Sequence, residues 1–316
     1  MKVLYAGYRD SRHSKFGGYD YIVNNPGAEY LDAAKLPFGF IPVGKRGKKL
    51  NLIVLDLIAR LKSKKFDVVH YFYSDFMLFN KICDKATTKF VATVHMKSED
   101  FSEKKINILK TYKAVIVLSS SEEKNLRKLG VNAYFVPHGF NKPEFNYLKS
   151  NIDNSKVNIF YSGMNYRDFD TFYKVAEYIE KENVNIHFFA VGQSSERKEL
   201  LKSLNNITVC PRLSDDEYYS LLTDCDYNFL PLTFATANNA LLEAQNLGVI
   251  SILPKIDGIE DYADSTNNYL YENWTDLINI FTHISKAKKS EKIIDYSKAF
   301  RWENIYKQLN KIYLEC

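Results

Sequence analysis

Long uninterrupted apolar runs are missing from this chain. The best candidate, Leu50 to Leu61, is broken by Asp56 and Arg60 and falls far short of the roughly 20 residues a membrane-crossing helix needs. The opening MKVLYAGYRD reaches Arg9 after a brief apolar stretch, so it reads as a buried first strand and not as the hydrophobic region of a signal peptide. Cysteine is scarce. The four present, Cys83, Cys210, Cys225 and Cys316, are too far apart for a zinc site and too few for a disulfide scaffold, which points to a reducing compartment. Short-period repeats, low-complexity tracts and nucleic-acid recognition motifs are also lacking, and the lysines are scattered, which argues against a nucleic-acid partner. These absences together predict a folded, cytoplasmic protein.

What is present is ordinary in amount and informative in order. With 316 residues, 46% hydrophobic and 26% charged, the chain is right for two lobes that each bury a core. Short β-branched and aromatic runs alternate with helix-length amphipathic segments from end to end, the pattern of parallel sheets covered by helices. In the first half, strands are predicted at Val3 to Ala6, Val68 to Tyr71, Phe90 to Val94, Val115 to Leu118 and Tyr134 to Val136. The segment SSSEEKNLRKLG reads as a helix, with serine to cap it, glutamates in its first turn and Gly130 to stop it. After VPHGF the text turns polar and aperiodic, and the alternation restarts at Val157. Further strands are predicted at Asn158 to Tyr161, Ile186 to Val191, Ile207 to Val209, Tyr227 to Leu230 and Val249 to Leu253.

The expectation is an α/β chain of two Rossmann-like domains, residues 1–147 and 156–298, followed by a terminal helix over 299–316. Ligand would sit in a crevice at the carboxyl ends of the strands. Charge divides along the chain. Residues 1–150 hold 26 Lys+Arg against 14 Asp+Glu, whereas the remainder hold 17 against 24. The basic half suits an anionic acceptor, an anionic lipid surface, the acidic second half, or simply water.

The most informative segment is TANNALLEAQNLGVISI, residues 236–251. Asn238 is placed to cap a helix that Gly248 stops, and such a terminus offers unpaired N–H groups to a diphosphate. Glu243, on the next turn, can accept from both hydroxyls of a ribose. On the residues alone, a plain cap and a surface charge fit equally well.

The segment closely resembles the nucleotide-binding motif of GT-B glycosyltransferases of family 4, in which a glutamate and a small-residue loop precede LLEAMACGxPVI. That resemblance implies two facing Rossmann-like domains with a cleft between them and a terminal helix returning to the first. It makes Glu243 the ribose ligand and places Thr236, Asn238 and Asn239 around the diphosphate and donor sugar. The family's first glutamate falls at Ala235 and is absent.

Other matches follow in the family's order. Gly17 and Gly18, in SRHSKFGGYD, correspond to a glycine-rich loop beside the donor. His95, ending FVATVH, corresponds to a catalytic histidine near the reacting carbon, although a histidine at a strand end is by itself more often structural. His138, in VPHGF, corresponds to a residue that shapes the cleft. Gly163 and Arg167, in FYSGMNYRDFDTF, correspond to the diphosphate grip; Met164 stands where a family arginine is common, and Arg167 has an alternative pairing with Asp168 or Asp170. Arg212 and Leu213 would flank the base.

The ending FRWENIYKQLNKIYLEC resembles the family's final helix, with Trp302, Ile305, Tyr306, Leu309 and Ile312 on one face. The implied reaction moves a sugar from a nucleotide-diphosphate sugar, UDP- or GDP-linked, to a hydroxyl of a carbohydrate or glycolipid. Configuration would be retained, with no cofactor and no metal. The string DFD at 168–170 reads as a helix cap rather than a metal site. A non-catalytic carbohydrate- or partner-binding subunit and a nucleotide-sugar epimerase are the alternatives. Attachment to the inner face of the cell membrane is compatible with the basic half, and nothing in the sequence bears on oligomeric state.

Overall fold

The computed structural model describes residues 1–9, 16–36, 44–76, 88–263 and 265–316, without the side chains of 44–50 and 76. Cys83 and most of the segment preceding Gly17 lie outside the described residues. The chain divides into two compact units. Residues 1–139 and 300–316 form the first, and residues 140–299 the second.

The first unit is a six-stranded sheet, parallel throughout. Its strands are β1 (Val3–Gly7), β2 (Glu29–Asp32), β3 (Val68–Tyr71), β4 (Lys89–Val94), β5 (Ala114–Val117) and β6 (Ala133–Phe135), in the spatial order 2-1-3-4-5-6. Helices α1 (Gly44–Ser63), α2 (Glu103–Leu109) and α3 (Ser120–Lys128) connect them. The local rules operate as read from the sequence. Ser119 accepts from the Glu122 amide to cap α3, and Gly130 takes the left-handed conformation, φ +81°, after the helix ends.

The second unit repeats the plan. Its strands β7 (Val157–Ser162), β8 (Ile186–Val191), β9 (Ile207–Val209), β10 (Tyr227–Phe229), β11 (Ile250–Pro254) and β12 (Tyr269–Tyr271) lie in the order 12-11-10-7-8-9, again all parallel. Helices α4 (Phe169–Lys181), α5 (Ser195–Leu201), α6 (Asp215–Asp224), α7 (Asn239–Asn246), α8 (Trp274–His283) and α9 (Glu291–Ser297) link and cover the strands. The aperiodic stretch before β7 is held on this unit by hydrogen bonds from Asn146 to Asp216 and from Tyr147 and Ser150 to Asp224.

Helix α10 (Trp302–Glu315) belongs to the first unit. It buries Trp302, Ile305, Leu309, Ile312 and Tyr313, while Tyr306 is half-buried and donates its hydroxyl to the Tyr21 carbonyl.

Each sheet has one strand more than the sequence predicts. Both extra strands, β2 and β12, are edges with partly exposed residues, so neither carries the continuous apolar run that marks a strand covered on both faces. In each sheet the chain starts in the interior, runs to one side, and crosses back to the other. This creates a switch point between β1 and β3 in the first unit and between β7 and β10 in the second. Open parallel sheets bind ligands outside the carboxyl ends of their strands at such points.

Candidate functional site

In the second unit, residues from the ends of β7, α6 and α7 converge at the switch point. Gly163 leaves β7 with φ +84°, a conformation that favours glycine, and a Cβ there would meet the Arg167 guanidinium at 3.2 Å. Gln193, after β8, fixes this turn by donating from Nε2 to the carbonyls of Gly163 and Val191. Arg167 folds back, with Nε donating to the Ser162 carbonyl at 2.7 Å and Nη1 to that of Asn165 at 3.3 Å. It does not pair with Asp168. That carboxylate caps α4 by accepting from the Thr171 amide and hydroxyl, so DFD is a helix cap as read. A bridge from Arg167 to Leu232 ties the turn to the loop after β10.

That loop leads into α7. Asn238 caps the helix by accepting from the Leu241 amide, and Asn239 is its first residue. Thr236 is buried, whereas Asn238 and Asn239 are partly exposed. Ala235 is buried too, and its carbonyl lies where a Cβ on Gly258 would approach to 1.9 Å. A glycine at 258 is what permits this close approach of two loops, and its φ of +82° agrees.

Glu243 is not a surface charge; it is 8% exposed. Its Oε2 accepts from the Tyr218 hydroxyl at 2.8 Å, and that hydroxyl is 3.2 Å from Ser162 Oγ. Burial pushes the carboxyl up to about 7, against the Tyr218 hydrogen bond and the Arg167 charge, which favour ionisation. Burial likewise lowers the pKa of Arg167, while Tyr161, Tyr218 and Glu243 oppose the shift. The structure thus brings Gly163, Arg167 and Glu243 together beside the start of α7. An arginine and N-terminal amides suit a diphosphate, and a neighbouring carboxylate suits vicinal hydroxyls. Arg212 is exposed and hydrogen-bonds none of these residues, and Leu213 packs partly against a hydrophobic cluster.

The candidate residues of the first unit gather around one side chain that the sequence reading passed over. Tyr19, 1% exposed, follows Gly17 and Gly18, and its ring meets His95 edge-on at 4.9 Å and His138 at 5.4 Å. His95 directly follows β4. Asp75, after β3, accepts from the His95 amide at 2.7 Å, the Met96 amide at 2.9 Å and His95 Nδ1 at 3.1 Å. Burial raises the Asp75 carboxyl, but the hydrogen bonds and charge of His95 and the Met96 amide outweigh it and leave the group below its usual value. His138 is buried, with Nδ1 at 2.6 Å from the Gly139 carbonyl.

Beneath this cluster, buried polar side chains form a chain. Tyr19 meets Thr93, Thr93 meets His70 Nε2, His70 Nδ1 meets Tyr313, and Tyr313 meets Tyr5, which accepts from Asn25. Burial holds His70 down at about 3, so it is neutral. Tyr218 and Tyr19 escaped sequence reading because their hydrogen-bond partners Glu243 and Thr93 are 25 and 74 residues away, and Asp75 because His95 lies 20 residues on, across a strand connection.

Among the described residues no three His, Cys, Asp or Glu side chains are grouped to hold a metal. A second Asp-x-Asp string, Asp224 to Asp226, is occupied structurally. Asp224 accepts from Tyr147 and Ser150, and Asp226 from Lys286 and the amides of Asn158 and Ala287. No helix among the described residues is long and apolar enough to cross a membrane.

Comparison with known proteins agrees with this architecture. Residues 155–285, all within the second unit, match the family model of the glycosyl transferases group 1. The fold is that of the GT-B glycosyltransferases, as the sequence predicts. Anabaena HepE, solved with UDP and glucose, is 15% identical with a TM-score of 0.71, all of each chain being covered. Sucrose-phosphate synthase from Thermosynechococcus elongatus is 17% identical with a TM-score of 0.71, over 99% of this chain and 88% of that one. The catalytic domain of starch synthase IV from Arabidopsis thaliana, bound to ADP and acarbose, is 11% identical with a TM-score of 0.71 over 99% of both. None of the curated proteins matches the chain.

Proposed function

We propose that this protein is a glycosyltransferase that moves a sugar from a nucleotide-diphosphate sugar to an acceptor hydroxyl. The observation that carries this reading is the convergence of Gly163, Arg167, Glu243 and the start of α7 at the switch point of the family-matched unit. In this reading Glu243 accepts from the ribose hydroxyls. Arg167 and the amides near Asn238 and Asn239 hold the diphosphate, and Thr236 lies beside the donor sugar. Arg212 and Leu213 flank the base, and Gly17, Gly18 and His138 shape the donor's surroundings.

The acceptor oxygen attacks the anomeric carbon, the bond from that carbon to the diphosphate breaks, and the acceptor proton leaves with or through the departing phosphate. Arg167 and the helix amides stabilise charge that grows on the leaving group, the largest electrostatic demand of the step. His95, oriented by Asp75, is the residue assigned to the reacting carbon. Retention of configuration, independence of metal and a UDP- or GDP-sugar donor are parts of the same proposal. HepE, solved with UDP-glucose, supports the donor class.

An anionic membrane surface is the proposed setting, with a carbohydrate or glycolipid acceptor and a location at the cytoplasmic face. On α1, Ile53, Leu57 and Leu61 recur every fourth residue and are 40%, 57% and 73% exposed, with exposed Lys62, Lys64 and Lys65 alongside. The first unit holds 27 Lys+Arg against 15 Asp+Glu. Preferential sedimentation with anionic over neutral vesicles is expected, and equal binding to both would end this part of the reading.

The activity is tested by donor hydrolysis and transfer with UDP- and GDP-sugars, comparing wild type with Glu243→Ala. Loss of background hydrolysis in the variant supports the transferase. Conversion of the donor to another nucleotide sugar points to an epimerase, and no turnover alongside retained carbohydrate binding points to a non-catalytic subunit.

A further inference from the structure

Tyr218 has no role in the reading so far, yet its hydroxyl stands between two elements of the nucleotide site. The ring is clamped edge-on against Phe160 at 5.2 Å and Tyr219 at 5.3 Å. The start of α6 is fixed by a reciprocal cap in which Ser214 and Glu217 satisfy each other's backbone, so Tyr218 emerges from a rigid turn. Its hydroxyl donates to Glu243 Oε2 and lies within hydrogen-bond distance of Ser162 Oγ, beside the turn that carries Gly163. Among the described residues no hydrogen bond engages Glu243 Oε1. A carboxylate can accept at both oxygens, so committing one of them leaves the other for an incoming donor and fixes the plane of the group.

We propose that Tyr218 is a positioning residue of the nucleotide site: it holds Glu243 so that Oε1 takes the hydroxyls of a ribose, and the site's preference for ribonucleotides over deoxyribonucleotides depends on it. This rests on the nucleotide-sugar reading above. The competing account is a tether between α6 and α7 that affects folding alone.

The two accounts separate in a titration of wild type, Tyr218→Phe and Glu243→Gln with UDP, GDP and ADP and their 2′-deoxy counterparts, repeated from pH 5.5 to 8.5. Wild type should bind the best ribonucleotide about tenfold tighter than its deoxy form, the usual effect of one hydrogen bond to a charged group. In Tyr218→Phe the ribonucleotide should weaken about tenfold and the deoxy form less than about threefold, so the preference shrinks toward that of Glu243→Gln. The pH midpoint of ribonucleotide binding should also rise, because the lost hydrogen bond favoured the ionised carboxylate. A tether would lower the melting temperature without moving either quantity.

An unchanged preference and midpoint in Tyr218→Phe, with the preference lost in Glu243→Gln, overturns the role of Tyr218 alone. Absence of binding to all three ribonucleotides by wild type overturns the nucleotide reading and this proposal with it.

Discussion

The two units share an architecture, a six-stranded parallel sheet with helices, but differ in strand order and in how they build the ends of their strands. In the second, the candidate site is made of turns, helix amides and two charged side chains, Arg167 and Glu243, in a unit with 16 Lys+Arg against 23 Asp+Glu. In the first, a basic unit, the candidate residues are histidines packed against tyrosines and anchored by a buried chain of hydroxyls that reaches α10 through Tyr313. One set of groups suits gripping a charged ligand, and the other suits holding imidazole rings in fixed orientation. Binding and turnover should therefore separate by unit when residues are changed.

The largest effect is expected from Arg167→Ala. Removing the cation proposed to face a developing diphosphate charge should lower kcat/KM by roughly 10²–10³ and weaken nucleoside diphosphate binding as well, measured by initial rates and calorimetry. In the first unit, His95→Ala should lower kcat by about 10–10², with nucleoside diphosphate affinity within about threefold of wild type. If His95→Ala weakens nucleotide binding as strongly as Arg167→Ala does, the division between units fails.

A smaller effect concerns stability without ligand. Glu243 titrates at about 7 in the fold against an ordinary 4.5, so the folded state holds its proton longer than the unfolded chain does. Stability should then fall as pH rises between these values, by about 1–3 kcal/mol, and remain lower above 7. Glu243→Gln should remove this slope and melt at or above wild type at pH 8, even as it loses ligand affinity; a parallel pH profile in the variant would contradict the assignment. The smallest change is expected from Tyr313→Phe, which removes a hydroxyl shared by His70 and Tyr5 and should cost about 1–2 kcal/mol in denaturant unfolding.

Local chemistry explains which features could be read in advance. Interior strands such as Val3–Gly7 and Ala114–Val117 are continuous apolar runs, and the caps at Ser119, Asp168 and Asn238 lie within three residues of the amides they satisfy. Those signals are contained in short windows of sequence. The edge strands β2 and β12 lack them, because an edge strand needs only half its surface covered. Glu243 and Arg167 were visible through a motif, but the clasp that orients Glu243 was not, since Tyr218 lies on a different helix. Asp75 and Tyr19 were hidden for the same reason. Each acquires its meaning only when parallel strands bring successive loops to one end of a sheet, and no periodicity records that arrangement.

Calorimetric titration of UDP, GDP and ADP into the wild-type protein and Glu243→Ala tests the central claim most directly. The account predicts that at least one of the three binds wild type with a micromolar or tighter Kd and that the variant weakens it by about tenfold or more, the effect of losing hydrogen bonds to a carboxylate. Failure of all three to bind wild type, or equal affinity in the variant, would contradict it.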